Sequence, residues 1–214
     1  MPGAPARPPA DAPASGTPGT TPGTTPGTRR LATPARILRA AAQQVVEGGA
    51  ANLSMQDVAD TAGVSKGLIH YHFHDKETLL ARLVEWATRE TVARERAALT
   101  GSTPGTAIED HWTWLAGELE RGHLRLLVEL AQERAPAVAD AVRAAAVARR
   151  EAAASTLTRL FGVLQLTPRV PVELLADVVV AFADGLAVHA TVAPAHNHRV
   201  AFDIFWLSLL SLAE

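Results

Sequence analysis

Cysteine is absent, so no disulfide framework, cysteine nucleophile or thiolate metal site is available, in keeping with a reducing cytoplasm. Lysine is nearly absent: 18 of the 20 basic residues are Arg, and the two lysines, Lys66 and Lys76, flank the single tyrosine, Tyr71. That segment departs from the compositional habit of the rest of the chain. Uncharged apolar runs long enough to span a bilayer are missing, because Leu174 to Val192 and Ala201 to Ala213 are interrupted by Asp177, Asp184 and Asp203. No membrane association and no secretory signal are expected, and the expected location is the cytoplasm. Signatures of catalysis are lacking as well. Without a nucleophile elbow, a Gly-rich phosphate loop or a paired-carboxylate motif, neither an enzyme nor a bound cofactor is expected.

What is present is enough for a folded protein: 214 residues, 48% hydrophobic and 20% charged, can bury a sizeable core. The net charge of −2 does not announce a polyanion-binding protein, but it is unevenly spread. Residues 1–100 hold 11 Lys and Arg against 9 Asp and Glu, and residues 101–214 hold 9 against 13.

Residues 1–30 contain eight of the fourteen prolines and three copies of Thr-Pro-Gly-Thr between Thr17 and Thr28. This composition predicts a disordered tail ending in Arg29 and Arg30, which could touch a phosphate or remain solvated. No proline follows between Pro34 and Pro104, and that window is rich in Ala, Leu, Arg and Glu, so four helices fit it. Pro34 opens a helix with Ile37, Leu38, Ala41 and Val45 on one face, and Gly48-Gly49 stops it. Ser54, with Asp57 three residues on, resembles a capping box for a helix to about Thr61. Gly63 ends that helix, Ser65 can cap the next, and Asp75 can cap a long one carrying Leu79, Leu80, Leu83, Val84 and Trp86. Further helices are expected at about 106–120, 123–134, 136–162, 171–192 and 198–213, punctuated by Gly and Pro. The fold class is therefore all-α, with about nine helices.

Within this pattern, Val58-Ala59-Asp60-Thr61-Ala62-Gly63-Val64-Ser65-Lys66-Gly67-Leu68-Ile69 has helix-turn-helix spacing. Ala59 allows two helices to approach, Gly63 permits a left-handed turn, and Val58, Val64 and Ile69 can fill the wedge. The second helix of such a unit enters the major groove with its first residues toward base edges. Ser65, Lys66 and Gly67 occupy those places. His70, His72 and His74 lie too differently around a helix to converge on a metal, and no metal site is expected. The charged run Arg89 to Arg96 has the pattern of a solvated helix face.

The run from Val64 to Leu80, with Ser65-Lys66-Gly67 followed by Tyr71-His72-Phe73 and Lys76, resembles the DNA-binding signature of the tetracycline-repressor (TetR) family of bacterial regulators. The resemblance is close from Ala35 to about Trp86; beyond that it extends only to helix pattern and length. It implies a helix-turn-helix domain at 31–80 and a helical effector-binding and dimerisation domain at 81–214. It also implies that Ser54, Ser65, Tyr71, His72 and Lys76 meet phosphate while Lys66 and Gly67 approach bases, with Phe73 in the core. The family usually has Tyr where this chain has His70, so His70 is left to donate to either phosphate or base. The partners expected from the resemblance are a near-palindromic double-stranded DNA operator, a second copy of the chain, and an apolar or aromatic small-molecule effector. A helical adaptor without DNA binding is the alternative.

The C-terminal part is less explicit. Ile108, Trp112, Leu115 and Leu119 share one face of a helix, with His111, Trp114 and Glu118 turned elsewhere, so one tryptophan is expected in the core and the other free for a pocket or interface. His189 is expected either as a hydrogen-bonded core residue or as a ligand contact. Trp112, Trp114, Leu127 and His189 are the candidate pocket residues. The last helix has an apolar face broad enough to be covered from two sides, and Leu186, Phe202, Phe205, Trp206 and Leu209 are the candidates for a twofold interface.

Overall fold

A computed structural model describes Gly3 and residues 33–214. The tail expected at residues 1–30, with Arg29 and Arg30, lies outside the described residues apart from Gly3. Nine α-helices and one 3-10 turn make up the described part, and residues 33–214 lie in one compact unit. The helices are α1 (Thr33–Gly48), α2 (Met55–Ala62), α3 (Lys66–Phe73), α4 (Lys76–Ala98) and α5 (Ala107–Arg121). They are followed by α6 (His123–Leu130), α7 (Pro136–Leu164), α8 (Val172–Val192) and α9 (His198–Leu210). The all-α expectation holds.

Local chemistry sets the helix ends in the first half. Ser54 Oγ accepts from the amides of Gln56 and Asp57, Ser65 Oγ from Leu68, and Asp75 Oδ1 from Thr78 at 2.7 Å. Each satisfies amide groups that have no partner within the helix. Gly63, at φ 63° and ψ 44°, closes α2 in the left-handed region that a Cβ disfavours.

Three ends differ from expectation. α6 stops at Leu130 instead of near 134, because Pro136 is the first residue of α7 and holds Ala135 extended at ψ 131°. The intervening turn is tightened by Gln132 N–H to Glu129 O and Glu133 N–H to Leu130 O. α9 ends at Leu210, since the chain end turns aside to pair with the loop before α8: Thr167 donates to Glu214 O at 2.7 Å and Arg169 to Leu212 O at 2.8 Å. α7 runs on to Leu164, where Gln165 takes the left-handed conformation.

Two apolar cores organise the packing. The first gathers Ile37, Val45, Val58, Ile69, Leu79 and Leu83 from α1 to α4 together with Leu126, Leu130 and Val138 from α6 and α7. The second joins Leu115, Leu124, Leu157, Leu160, Phe202 and Trp206 from α5 to α9. Full burial of each such aliphatic side chain contributes about 1.5–3 kcal/mol. α4 packs along α7, and α7 along α8. α8 has the length and mean hydropathy, 1.6, of a membrane-crossing helix. Two of its three carboxylates, however, are paired with α7, Asp184 with Arg149 and Asp177 with Arg150.

The buried face of α5 is not the one its periodicity suggested. His111 and Glu118 are buried with Ala107 and Leu115, while Ile108, Trp112, Trp114 and Leu119 are half-buried. The reason is tertiary: polar side chains go inside where partners wait for them. Fully buried Glu118 accepts from Arg94 Nε at 2.5 Å, Arg94 Nη2 at 3.0 Å and Thr91 Oγ1 at 3.2 Å, all on α4. Arg94 and buried Glu95 therefore depart from the solvated face expected of Arg89 to Arg96.

Candidate nucleic-acid interface and effector cavity

The turn between α2 and α3 is held from outside the motif. Arg36 of α1 donates through Nη2 to Ala62 O at 2.5 Å and Gly63 O at 3.3 Å. Val58, Ala59 and Ile69 are fully buried between the two short helices. Within α3 only Ile69 and Phe73 are buried, one turn apart, and they pin the helix by a single stripe. Lys66, Gly67, His70, Tyr71 and His74 are left on the open side.

Two residues on that side have no purpose inside the subunit. Tyr71 is 75% exposed, and its ring meets only the edge of His72 at 5.2 Å. Gly67 is the second residue of α3, where Ala has the better helix propensity. Yet a Cβ there would meet nothing nearer than Ser65 Oγ at 4.0 Å. Internal packing does not require this glycine. The missing side chain leaves the backbone here open to close approach from outside.

The hydroxyls of Ser54 and Ser65 accept helix amides through their oxygens, which leaves each hydroxyl proton free to donate outward. His70 donates from Nδ1 to the carbonyl of His74 at 2.8 Å, across a helix end where His74 sits at φ 54°. With Nδ1 protonated, the neutral ring presents Nε2 as an acceptor. Lys76 donates to Ala51 O at 3.0 Å and keeps two further protons. The carboxylate of Asp75 already caps α4, and the Thr78 amide holds its pKa below the usual value. One first-turn amide of α4 is thus occupied, and Lys76 adds a positive charge beside that helix end. His72 is half-buried against Phe73, their ring centres 6.1 Å apart.

A cavity of about 260 Å³ opens between α4, α6, α7 and α8. Val84, Leu127, Val128, Val142 and Val180 supply its apolar walls, and Arg149, Asp184 and Gln132 its polar groups. Of the four candidate pocket residues only Leu127 lines it. Trp114 lies beside a separate shallow groove with Arg94 and Asp110. Trp112 packs on Phe202 at 5.1 Å under the guanidinium of Arg199. His189 is neither buried nor in the cavity: it is exposed at the end of α8, stacked 5.2 Å from His196, because α8 leaves the core before its last turn. The sequence reading missed Arg149, whose signal lies only in its pairing with Asp184 across two helices.

The dimer candidates also need correction. Leu186, Phe202, Trp206 and Leu209 are each no more than 5% exposed and belong to the core of the subunit, drawn inward by the rings of α5. The ring of His111, for instance, lies 5.1 Å from that of Trp206. Phe205 is half-buried and stacks on Phe182 at 4.0 Å. The outward apolar residues are instead Leu174, Val178, Val188 and Val192 on α8 and Val200, Ile204 and Leu207 on α9. Their separations of three and four residues, or sums of these, line them up in stripes.

Residues 37–83 match the bacterial regulatory proteins of the tetR family. That segment spans α2, α3, most of α1 and the start of α4, so the family likeness lies in the helix-turn-helix. The HTH-type transcriptional regulator CymR of Pseudomonas putida is 34% identical over 76 residues, which are 36% of this chain and 37% of that relative. The chain thus matches little more than a third of the length of that curated relative. Whole-chain likeness comes from solved structures and concerns the fold. A transcriptional regulator from Rhodococcus sp. Rha1 superposes with a TM-score of 0.68 at 24% identity, covering 85% of this chain and 98% of that one. FadR of Bacillus subtilis, solved with stearoyl-CoA, superposes with a TM-score of 0.63 at 20% identity, covering 82% and 96%. The helix-turn-helix is therefore the part with a sequence relative, and the helical body around the cavity is the part related by fold.

Proposed function

We propose that this chain is a sequence-specific DNA-binding transcriptional regulator, a repressor released from its operator by a small molecule, with no catalytic role. The observation that carries the reading is the unpacked side of α3, where Gly67 and Tyr71 serve nothing within the subunit. On this proposal Lys66 and Gly67 meet base edges. Ser54, Ser65, Tyr71, His72 and Lys76 meet phosphate, which positions the helix without reading sequence. His70, with Nε2 as acceptor, suits the exocyclic amine of adenine or cytosine.

One short helix reads few base pairs, so the operator contains two half-sites and the protein acts as a homodimer. The exposed stripes of α8 and α9 are the proposed interface, in place of the inward residues. The helix-turn-helix occupies 31–80 on this reading and the effector and dimerisation part 81–214. Two hydrogen bonds join them: Glu129 of α6 accepts from Ala50 N–H at 2.6 Å, and Glu77 of α4 accepts from Ala137 N–H at 2.9 Å. α6 also supplies Leu127 and Val128 to the cavity, and the turn that follows it supplies Ala131 and Gln132. A ligand that favours one position of α6 thereby favours one position of the DNA-binding helices. The FadR structure offers a precedent for a ligand in this fold, but 260 Å³ admits a far smaller molecule than stearoyl-CoA.

Selection from a random duplex pool tests the reading. Enrichment of a near-palindrome with half-sites about one helical turn apart is expected. A pool that enriches nothing would refute DNA recognition and favour a helical adaptor.

A further inference from the structure

Charge is distributed unequally in the cavity between α4, α6, α7 and α8. Arg149 is the one cation among its lining residues, Asp184 the one anion and Gln132 the only other polar side chain. The two charges form a bidentate pair, Nη1 to Oδ2 at 3.1 Å and Nη2 to Oδ1 at 2.5 Å. Their surroundings differ. The Arg149 side chain is 12% exposed, whereas that of Asp184 is 29% exposed.

This asymmetry decides which charge a ligand can replace. If Asp184 swings away, its carboxylate finds water, and Arg149 keeps a partner provided that the ligand brings one. If a cationic ligand took Asp184 instead, a mostly buried guanidinium would be left unpaired beside a second positive charge. An unpaired buried charge is among the most costly arrangements in a protein. A neutral ligand gains nothing from the guanidinium that Asp184 does not already supply. Arginine also matches a carboxylate by its planar fork, so the exchange preserves both hydrogen bonds.

We infer that the effector is a small apolar monocarboxylate whose carboxylate replaces that of Asp184 on Arg149 while its body lies against Val84, Leu127, Val128 and Val142. The inference rests on the proposed regulator function and names the ligand class of the same cavity. The neighbouring group supports it. Glu95 lies in an adjoining recess that shares Arg149 and Val180 with the cavity. Burial pushes its pKa up to about 7, so it opposes an incoming anion weakly at and below neutrality. The cavity volume of about 260 Å³, just below the usual range for ligand sites, limits the body to a short alkyl chain or a single substituted ring.

Titration calorimetry on the full chain tests the head group directly. The probes are hexanoate, octanoate and 3-phenylpropanoate, each beside the amide and the primary amine with the same body. At least one carboxylate is expected to bind about tenfold more tightly than its amide and amine. Asp184→Asn removes the internal competitor and should tighten that carboxylate severalfold, a gain that a misfolded variant would not produce. The double variant Arg149→Gln/Asp184→Asn keeps a hydrogen-bonding pair of similar shape without its charges and should bind acid and amide alike. The inference is overturned if an amide or amine binds as well as its acid, if the double variant keeps the acid preference, or if no carboxylate binds wild type or Asp184→Asn. Because no DNA is present, the two readings fail separately. Carboxylates that bind without releasing the selected duplex leave the ligand class standing and remove the repressor mechanism. Duplex enrichment without carboxylate binding removes the ligand class and leaves DNA recognition standing.

Discussion

Replacing Glu95 by Gln should tilt the pH dependence of stability in a direction set by its burial. Glu95 is 5% exposed, and desolvation raises its pKa from 4.5 to about 7 against the lowering effects of the Thr156 hydrogen bond and of Arg149. Between those values the folded protein holds a proton that the unfolded chain has released. Unfolding free energy therefore falls as pH rises through the window, by about 1.4 kcal/mol per pH unit and about 3 kcal/mol in all. His111 works the other way. Enclosed by Trp114, Phe202 and Trp206, it is 2% exposed, and burial lowers its pKa from 6.5 to about 4. There the unfolded chain holds the extra proton, and stability rises with pH up to about 6.5. In wild type the two slopes oppose each other over most of the same range. Burial also lowers the pKa of His123, which adds to the trend of His111 in wild type and variant alike. Urea unfolding of wild type and Glu95→Gln, at one protein concentration between pH 4.5 and 7, should show the variant gaining about 3 kcal/mol relative to wild type across the window. His111→Phe should show the opposite tilt. Parallel curves for wild type and Glu95→Gln would refute the buried, protonated carboxyl.

On a selected duplex, Lys66→Ala should cost about 1–3 kcal/mol with little effect on unrelated DNA, whereas Lys76→Ala should weaken both and lower the salt slope by about one. Fluorescence anisotropy checks this, and unchanged affinity in both variants would remove α3 from the interface. Leu207 and Val192 are 71% and 73% exposed, so Leu207→Glu and Val192→Glu should yield a folded monomer in sedimentation. Trp206, 2% exposed, should behave differently: Trp206→Ala should destabilise the subunit itself by about 3–5 kcal/mol. Gln165 holds φ 55° at the end of α7. Gln165→Gly should raise stability by about 1 kcal/mol or less, measured as a shift in denaturant midpoint.

The first half of the molecule was legible because its signals are local. Ser54, Ser65 and Asp75 cap the helices they precede, Gly63 turns left-handed, and the spacing of Ile37, Leu38, Ala41 and Val45 marks the face that is buried. A cap bond or a left-handed turn depends on residues within a few positions, so composition and spacing alone determine it. The second half depends on which helix lies against which. Periodicity placed Glu118 and Glu95 outside because a carboxylate normally seeks water, and nothing within α5 announces that Arg94 and Thr91 of α4 will meet Glu118. Likewise α9 is apolar on several sides, and its sequence cannot distinguish Trp206, taken into the core by the α5 rings, from Leu207, left outside. Hydrophobicity selects what is buried without specifying against what. The ion pair of Arg149 and Asp184, 35 residues apart, exists only because α7 and α8 lie side by side, so the polar end of the cavity was decided by tertiary packing alone.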